Sequence, residues 1–109
     1  MDLQLRQSFF AAVRSDDVAA VRGIIDGEGA EEAAGLMKAT TEAGETALYI
    51  AAENNQEELF RYLVGFCDEE TANIRSKKDM DAFQVAAKEG HAGELLYLFS
   101  SLKFSSRLS

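Results

Sequence analysis

Apolar side chains in this chain return mostly at intervals of three and four, the spacing that gathers them on one face of a helix. Leu5, Phe9, Ala12 and Val13 follow it, and so do Val18, Val21, Ile24 and Ile25. Between these groups, Ser15-Asp16-Asp17 closes the first helix and offers an N-cap for the second, predicted over residues 18–25 and stopped by Asp26-Gly27-Glu28-Gly29. A further short helix is expected over residues 30–40. Its early acids and late Lys38 suit the helix dipole, and packing by Leu36 and Met37 offsets the roughly 1 kcal/mol that Gly35 costs relative to alanine. Thr46 is placed to cap a helix over 47–54, Asn55 breaks it, and Leu59, Phe60, Leu63 and Val64 mark the buried face of a helix from 57 to 66. A helical connector follows over 68–74, then a turn over 76–81 in which Asp81 takes the capping place of Thr46. A helix over 82–89 ends at Gly90, and the last helix carries Leu95, Leu96, Leu98, Phe99 and Leu102. No alternating apolar run is long enough for a strand, so the expected class is all-α.

One frame recurs three times. Phe9-Phe10-Ala11-Ala12-Val13-Arg14-Ser15-Asp16-Asp17, Leu48-Tyr49-Ile50-Ala51-Ala52-Glu53-Asn54-Asn55-Gln56 and Phe83-Gln84-Val85-Ala86-Ala87-Lys88-Glu89-Gly90-His91 each open on a large apolar residue, pass through small ones and end in a turn. The opening residues stand 39 and then 35 positions apart (9 to 48, 48 to 83). Self-similarity at 20 to 50 residues marks a stacked repeat protein. The extra helix at 30–40 accounts for the longer first period. Small alanines let neighbouring helices approach, and Asp16, Asn55 and Gly90 suit the left-handed turn between paired helices.

The segment Gly44-Glu45-Thr46-Ala47-Leu48-Tyr49-Ile50-Ala51-Ala52-Glu53-Asn54-Asn55 resembles the ankyrin repeat, with its turn glycine, capping threonine, alanine pair and second turn. Gly90-His91 adds another ankyrin-like signature. The connectors, including Lys77-Lys78-Asp79-Met80-Asp81-Ala82-Phe83, resemble the N-terminal region of plant ankyrin-repeat proteins, whose full-length members often end in a membrane-spanning domain. The resemblance runs over about residues 8–93; Glu94 then stands where the family usually has an apolar residue. It implies an all-α solenoid of about three stacked helix-turn-helix units, divided into repeat 1 (5–26), a connector helix (30–40), repeat 2 (41–66), a connector (67–75), repeat 3 (76–100) and a frayed tail (101–109).

Composition narrows the partners. The 109 residues carry 19 acidic against 11 basic side chains, a net charge of −8, which disfavours nucleic acid and anionic membranes and favours a basic or neutral protein. The single cysteine, Cys67, excludes an internal disulfide framework and fits a reducing compartment. No apolar run approaches the ~20 residues that span a bilayer, and the N-terminus lacks a signal-peptide pattern. A cytoplasmic protein is expected, or one at the cytoplasmic face of a membrane if the natural chain continues.

Chemistry is sparse. His91 is the only histidine, so no histidine metal cluster can form, and packing or hydrogen bonding is its expected role. Glu57-Glu58 and Asp68-Glu69-Glu70 sit at helix starts, where the dipole favours them, and Gly27 and Gly29 lack the lysine of a phosphate loop. No catalytic, cofactor-binding or metal residue is expected. The resemblance instead implies a concave binding surface built from turn tips and first helices: Glu42, Ala43, Glu45, Tyr49, Glu53 and Asn54 from the second unit, with Lys77, Lys78, Met80, Gln84, Lys88 and Glu89 from the third. Tyr49 and Met80 are its expected anchors. The alternative is a homodimer formed through the apolar end Leu95, Leu96, Tyr97, Leu98, Phe99 and Leu102.

Overall fold

A computed structural model describes residues 3–93 and Tyr97. Among the described residues there are six helices and no strand: α1 (Leu3–Arg14), α2 (Val18–Lys38), α3 (Ala47–Glu53), α4 (Glu57–Val64), α5 (Glu69–Ala72) and α6 (Ala82–Lys88). They form two layers. In the inner layer α3 packs between α1 and α6; in the outer layer α2 backs α1, α4 backs α3, and α2 touches α4.

Each junction between paired helices follows from one residue with positive φ. Asp16, Asn55 and Gly90 have φ of 55°, 56° and 79°. That reversal turns the next N–H back onto the preceding helix in all three units. Asp17 N–H donates to the Ala12 carbonyl, Gln56 N–H to Ala51 and His91 N–H to Ala86, at 3.0, 3.0 and 2.8 Å. The caps expected at Asp17, Thr46 and Asp81 form, and Asp68 adds a further one. Asp17, Thr46, Asp68 and Asp81 accept from the N–H groups of Ala20, Tyr49, Thr71 and Gln84. Asp81 and Gln84 complete a reciprocal capping box. The Thr71 N–H, backed by the Thr71 side chain, also draws the Asp68 carboxyl below its ordinary pKa.

Two helix ends differ from the sequence expectation. Helical backbone continues through Asp26, Gly27 and Glu28 and breaks at Gly29 (φ 85°, ψ 173°), so α2 is two helical halves meeting at a one-residue kink, within the expected stop but with the first half three residues longer than predicted. A helix tolerates Gly27 at a cost near 1 kcal/mol, whereas the backbone of Gly29 is barred to other residues. Helix α4 ends at Val64, capped by Gly65, two residues before Phe66.

The same side-chain position ties each unit to the one before it. Gln56 Nε2 donates to the Val13 carbonyl at 2.9 Å, and His91 Nδ1 donates to the Ala52 carbonyl at 2.6 Å. Gln56 and His91 both follow the left-handed residue, and Val13 and Ala52 both lie three residues before it in the neighbouring unit. A carbonyl can only accept, so His91 carries its proton on Nδ1. The turns repeat as well. Thr41 N–H donates to Glu45 and Ser76 N–H to Met80, while Gly44 (φ 77°) and Asp79 (φ 61°) close the two turns identically. Lys77 N–H then joins turn to turn by donating to the Ala43 carbonyl at 2.8 Å.

Candidate functional site

This register fixes which side chains line up across the inner layer. Residues 13, 52 and 87 are equivalent, so Arg14, Glu53 and Lys88 form one row at the C-terminal ends of α1, α3 and α6. At the same sequence offsets stand Arg6, Glu45 and Met80, but Arg6 lies within α1 whereas Glu45 and Met80 lie in the turns ahead of α3 and α6. Arg14 and Lys88 are exposed and Glu53 is half-buried. The ion pairs Lys38–Glu70, Arg61–Glu57 and Arg75–Asp79 lie elsewhere and are exposed, so each stabilises the fold weakly. Arg14, Glu53 and Lys88 take part in no ion pair among the described residues.

The expected binding residues fall into three groups. Glu42, Lys78 and Lys88 are exposed, as are Ala43, Asn54, Lys77 and Glu89, while Glu45 and Glu53 are half-buried. Asn54 also caps the end of α3, its N–H donating to the Ile50 carbonyl. Gln84 is exposed, but its carboxamide oxygen is engaged by the Asp81 N–H at 2.9 Å.

The two expected anchors are displaced inward. Tyr49 is fully buried, with 0% exposure, so it is a core residue and not a surface anchor. Helix α3 is covered by α1, α4 and α6, which leaves no outer face at that position. Met80 is half-buried and packs against the core. Of the apolar residues expected to pair two copies, Leu95, Leu96, Leu98, Phe99 and Leu102 lie outside the described residues. Tyr97 is described: it packs against the core, with the Arg61 guanidinium 5.2 Å from its ring centre.

The first unit supplies residues that the sequence reading left out. A cleft of ≈ 610 Å³ opens between α1 and the first turn, lined by Leu3, Arg6, Phe10, Arg14, Glu42 and Ala43 among others. Arg6 donates to the Thr40 carbonyl across its base, and Leu3 is 66% exposed at its rim. For Arg14 the signal was present, since it occupies the offset of Glu53.

Among the described residues no group of three or more His, Cys, Asp or Glu is placed to hold a metal ion. Burial, aided by the Asp68 carboxylate, pushes the Cys67 thiol up to about 12. The thiolate is the nucleophile, so the folded chain should react with iodoacetamide at pH 8 about two-thousandfold more slowly than the chain in urea; mass spectrometry of timed quenches reads the difference. The linkage has a definite sign. A thiol whose pKa is raised on folding leaves stability intact at neutral pH and removes it as pH climbs from the unfolded value, about 8.5, toward 12.

A family model described as "Ankyrin repeats (3 copies)" matches residues 9–106, past the point near 93 where the sequence motifs end. The ankyrin repeat-containing protein At2g01680 of Arabidopsis thaliana is 44% identical over 115 residues, covering 94% of this chain and 22% of its own length. A second Arabidopsis thaliana protein, ankyrin repeat-containing protein At5g02620, is 38% identical over 56 residues, covering 51% of this chain and 11% of its own. The chain thus spans less than a quarter of the length of either relative. No solved structure matches it. Among the described residues no helix is long and apolar enough to cross a membrane.

Proposed function

Since the chain belongs to the ankyrin-repeat family, a family of protein-interaction modules, we propose that it binds another protein through the inner face of α1, α3 and α6 and the two turn tips, without catalysis. One observation carries this reading. Capping, left-handed turns and the Gln56 and His91 bonds hold those elements in a fixed register, while Arg14, Glu53 and Lys88 along them have no ion-pair partner among the described residues. Rigid display of unpaired side chains lowers the ordering cost of association. Glu42, Glu45, Glu53, Asn54, Lys78, Met80 and Lys88 are the contacts, with Gln84 at the margin.

The Arabidopsis relatives support looking for partners in plant extract; the setting proposed for them is signalling or stress response in the cytoplasm, where a sequence with a single cysteine suits the reducing environment. The test is affinity capture with the chain and with a Glu45→Lys, Glu53→Lys, Lys88→Glu variant that retains its helical circular dichroism. Partners lost only with the variant support the inner face; partners shared by both move the function to the outer layer or to self-association through the end that includes Tyr97. Sedimentation equilibrium on the same samples separates those two, since only self-association gives a dimer.

A further inference from the structure

The inner face carries its charges in a definite order. Along the row set by the Gln56–Val13 and His91–Ala52 bonds, the side chains are cationic at Arg14, anionic at Glu53 and cationic at Lys88. None is neutralised by an ion pair within the described fold. On a chain of net charge −8, two cations at the ends of this row are a local reversal of the overall sign.

Packed helices stand about 8–10 Å apart, so the three charges step across the face at roughly that interval. A strand cannot match them with side chains on one side at every third residue, because its side chains alternate faces. A polyproline-II segment can. It has three residues per turn and rises about 3.1 Å per residue, so every third side chain points the same way at intervals of about 9 Å. Its backbone forms no internal hydrogen bonds, which leaves it free to bond to polar groups along the face it crosses.

We propose that this face, on the reading of it as a protein-binding surface, takes an extended polyproline-II-like segment of another protein with acidic, basic and acidic side chains at successive third positions. The acids pair with Arg14 and Lys88 and the central base with Glu53. The order is symmetric, so the segment satisfies it in either chain direction. Half-burial of Glu53 makes the central pair the least screened and gives it the largest share of the discrimination.

The test uses the full chain and three fluorescein-labelled peptides in one proline- and glutamine-rich background. One carries Glu, Lys and Glu at every third residue, one carries Lys, Glu and Lys there, and one holds the first peptide's three charged residues side by side. Anisotropy titration in 50 mM salt should show the first binding about tenfold more tightly than either other peptide, with the preference shrinking in 0.5 M salt. The chain bearing Arg14→Glu, Glu53→Lys and Lys88→Glu should prefer the second peptide instead. That reversal excludes simple loss of fold, which would abolish binding of both. Equal binding of all three peptides, or of none, overturns the charge-order proposal. The inner face as a binding surface then stands or falls separately on whether captured partners depend on Glu45, Glu53 and Lys88.

Discussion

Tyr49→Ala should destabilise the fold by about 4 kcal/mol, the range for removing a buried aromatic side chain, and Tyr49→Phe should leave it about 1 kcal/mol more stable. Tyr49 is 0% exposed in the middle of α3, with α1, α4 and α6 packed around that helix. Truncation leaves a cavity among backbones already held close by alanines, where little can move in to fill it. The hydroxyl is a different matter. It is buried and has no hydrogen-bond partner among the described residues, so deleting it removes an unsatisfied polar group at no loss of contact. Urea unfolding of the three proteins reads both effects. A surface tyrosine would give the opposite pattern, with alanine near neutral. An unchanged midpoint for Tyr49→Ala would therefore restore Tyr49 to the exterior and undo the packing of α3 described above.

The elements that were legible in the sequence are those decided by one residue and its immediate neighbours. Capping by Thr46 and Asp81 and the left-handed turns at Asp16, Asn55 and Gly90 depend on short side chains and on local φ, so their residue types announce them. Burial of Tyr49 depends on three other helices. Six consecutive residues of α3, 47–52, are buried, so helical periodicity has no polar face there from which to read an outside. The break in α2 falls within the expected stop but three residues past Ile25, since a glycine in a helix is only a modest cost and the sequence does not show which of Gly27 and Gly29 takes positive φ. Arg6 and Arg14 escape a sequence reading that takes the inner face from the turn tips, because the two turns at 41–45 and 76–80 stand ahead of α3 and α6. The equivalence of Arg14 with Glu53 needs the register that Gln56 and His91 reveal.

Gly44→Ala should cost about 3 kcal/mol, well above Gly90→Ala at another left-handed glycine turn. Two causes add. Gly44 has φ 77°, where a β-carbon costs roughly 1–2 kcal/mol through its own backbone. A β-carbon built there would also lie 3.1 Å from the Lys77 nitrogen and 3.3 Å from the Ser76 α-carbon. Those are backbone atoms, and they are pinned by the Lys77 N–H to Ala43 bond that holds the turns together. Relief requires parting the turns, which forfeits that bond and loosens the face that carries Glu42, Glu45 and Lys78. Gly90→Ala separates the two causes, because Gly90 has φ 79° but nothing within 4 Å of the added carbon. It should cost only the conformational part, about 1 kcal/mol. Gly90→Asn should cost less still, as Asn55 already adopts that conformation at the equivalent place. Thermal melts of the three variants order them Gly44→Ala, Gly90→Ala, Gly90→Asn from least to most stable. If Gly44→Ala and Gly90→Ala melt together, the turns are not in contact, and the rigid inner face loses the bond that joins its tips.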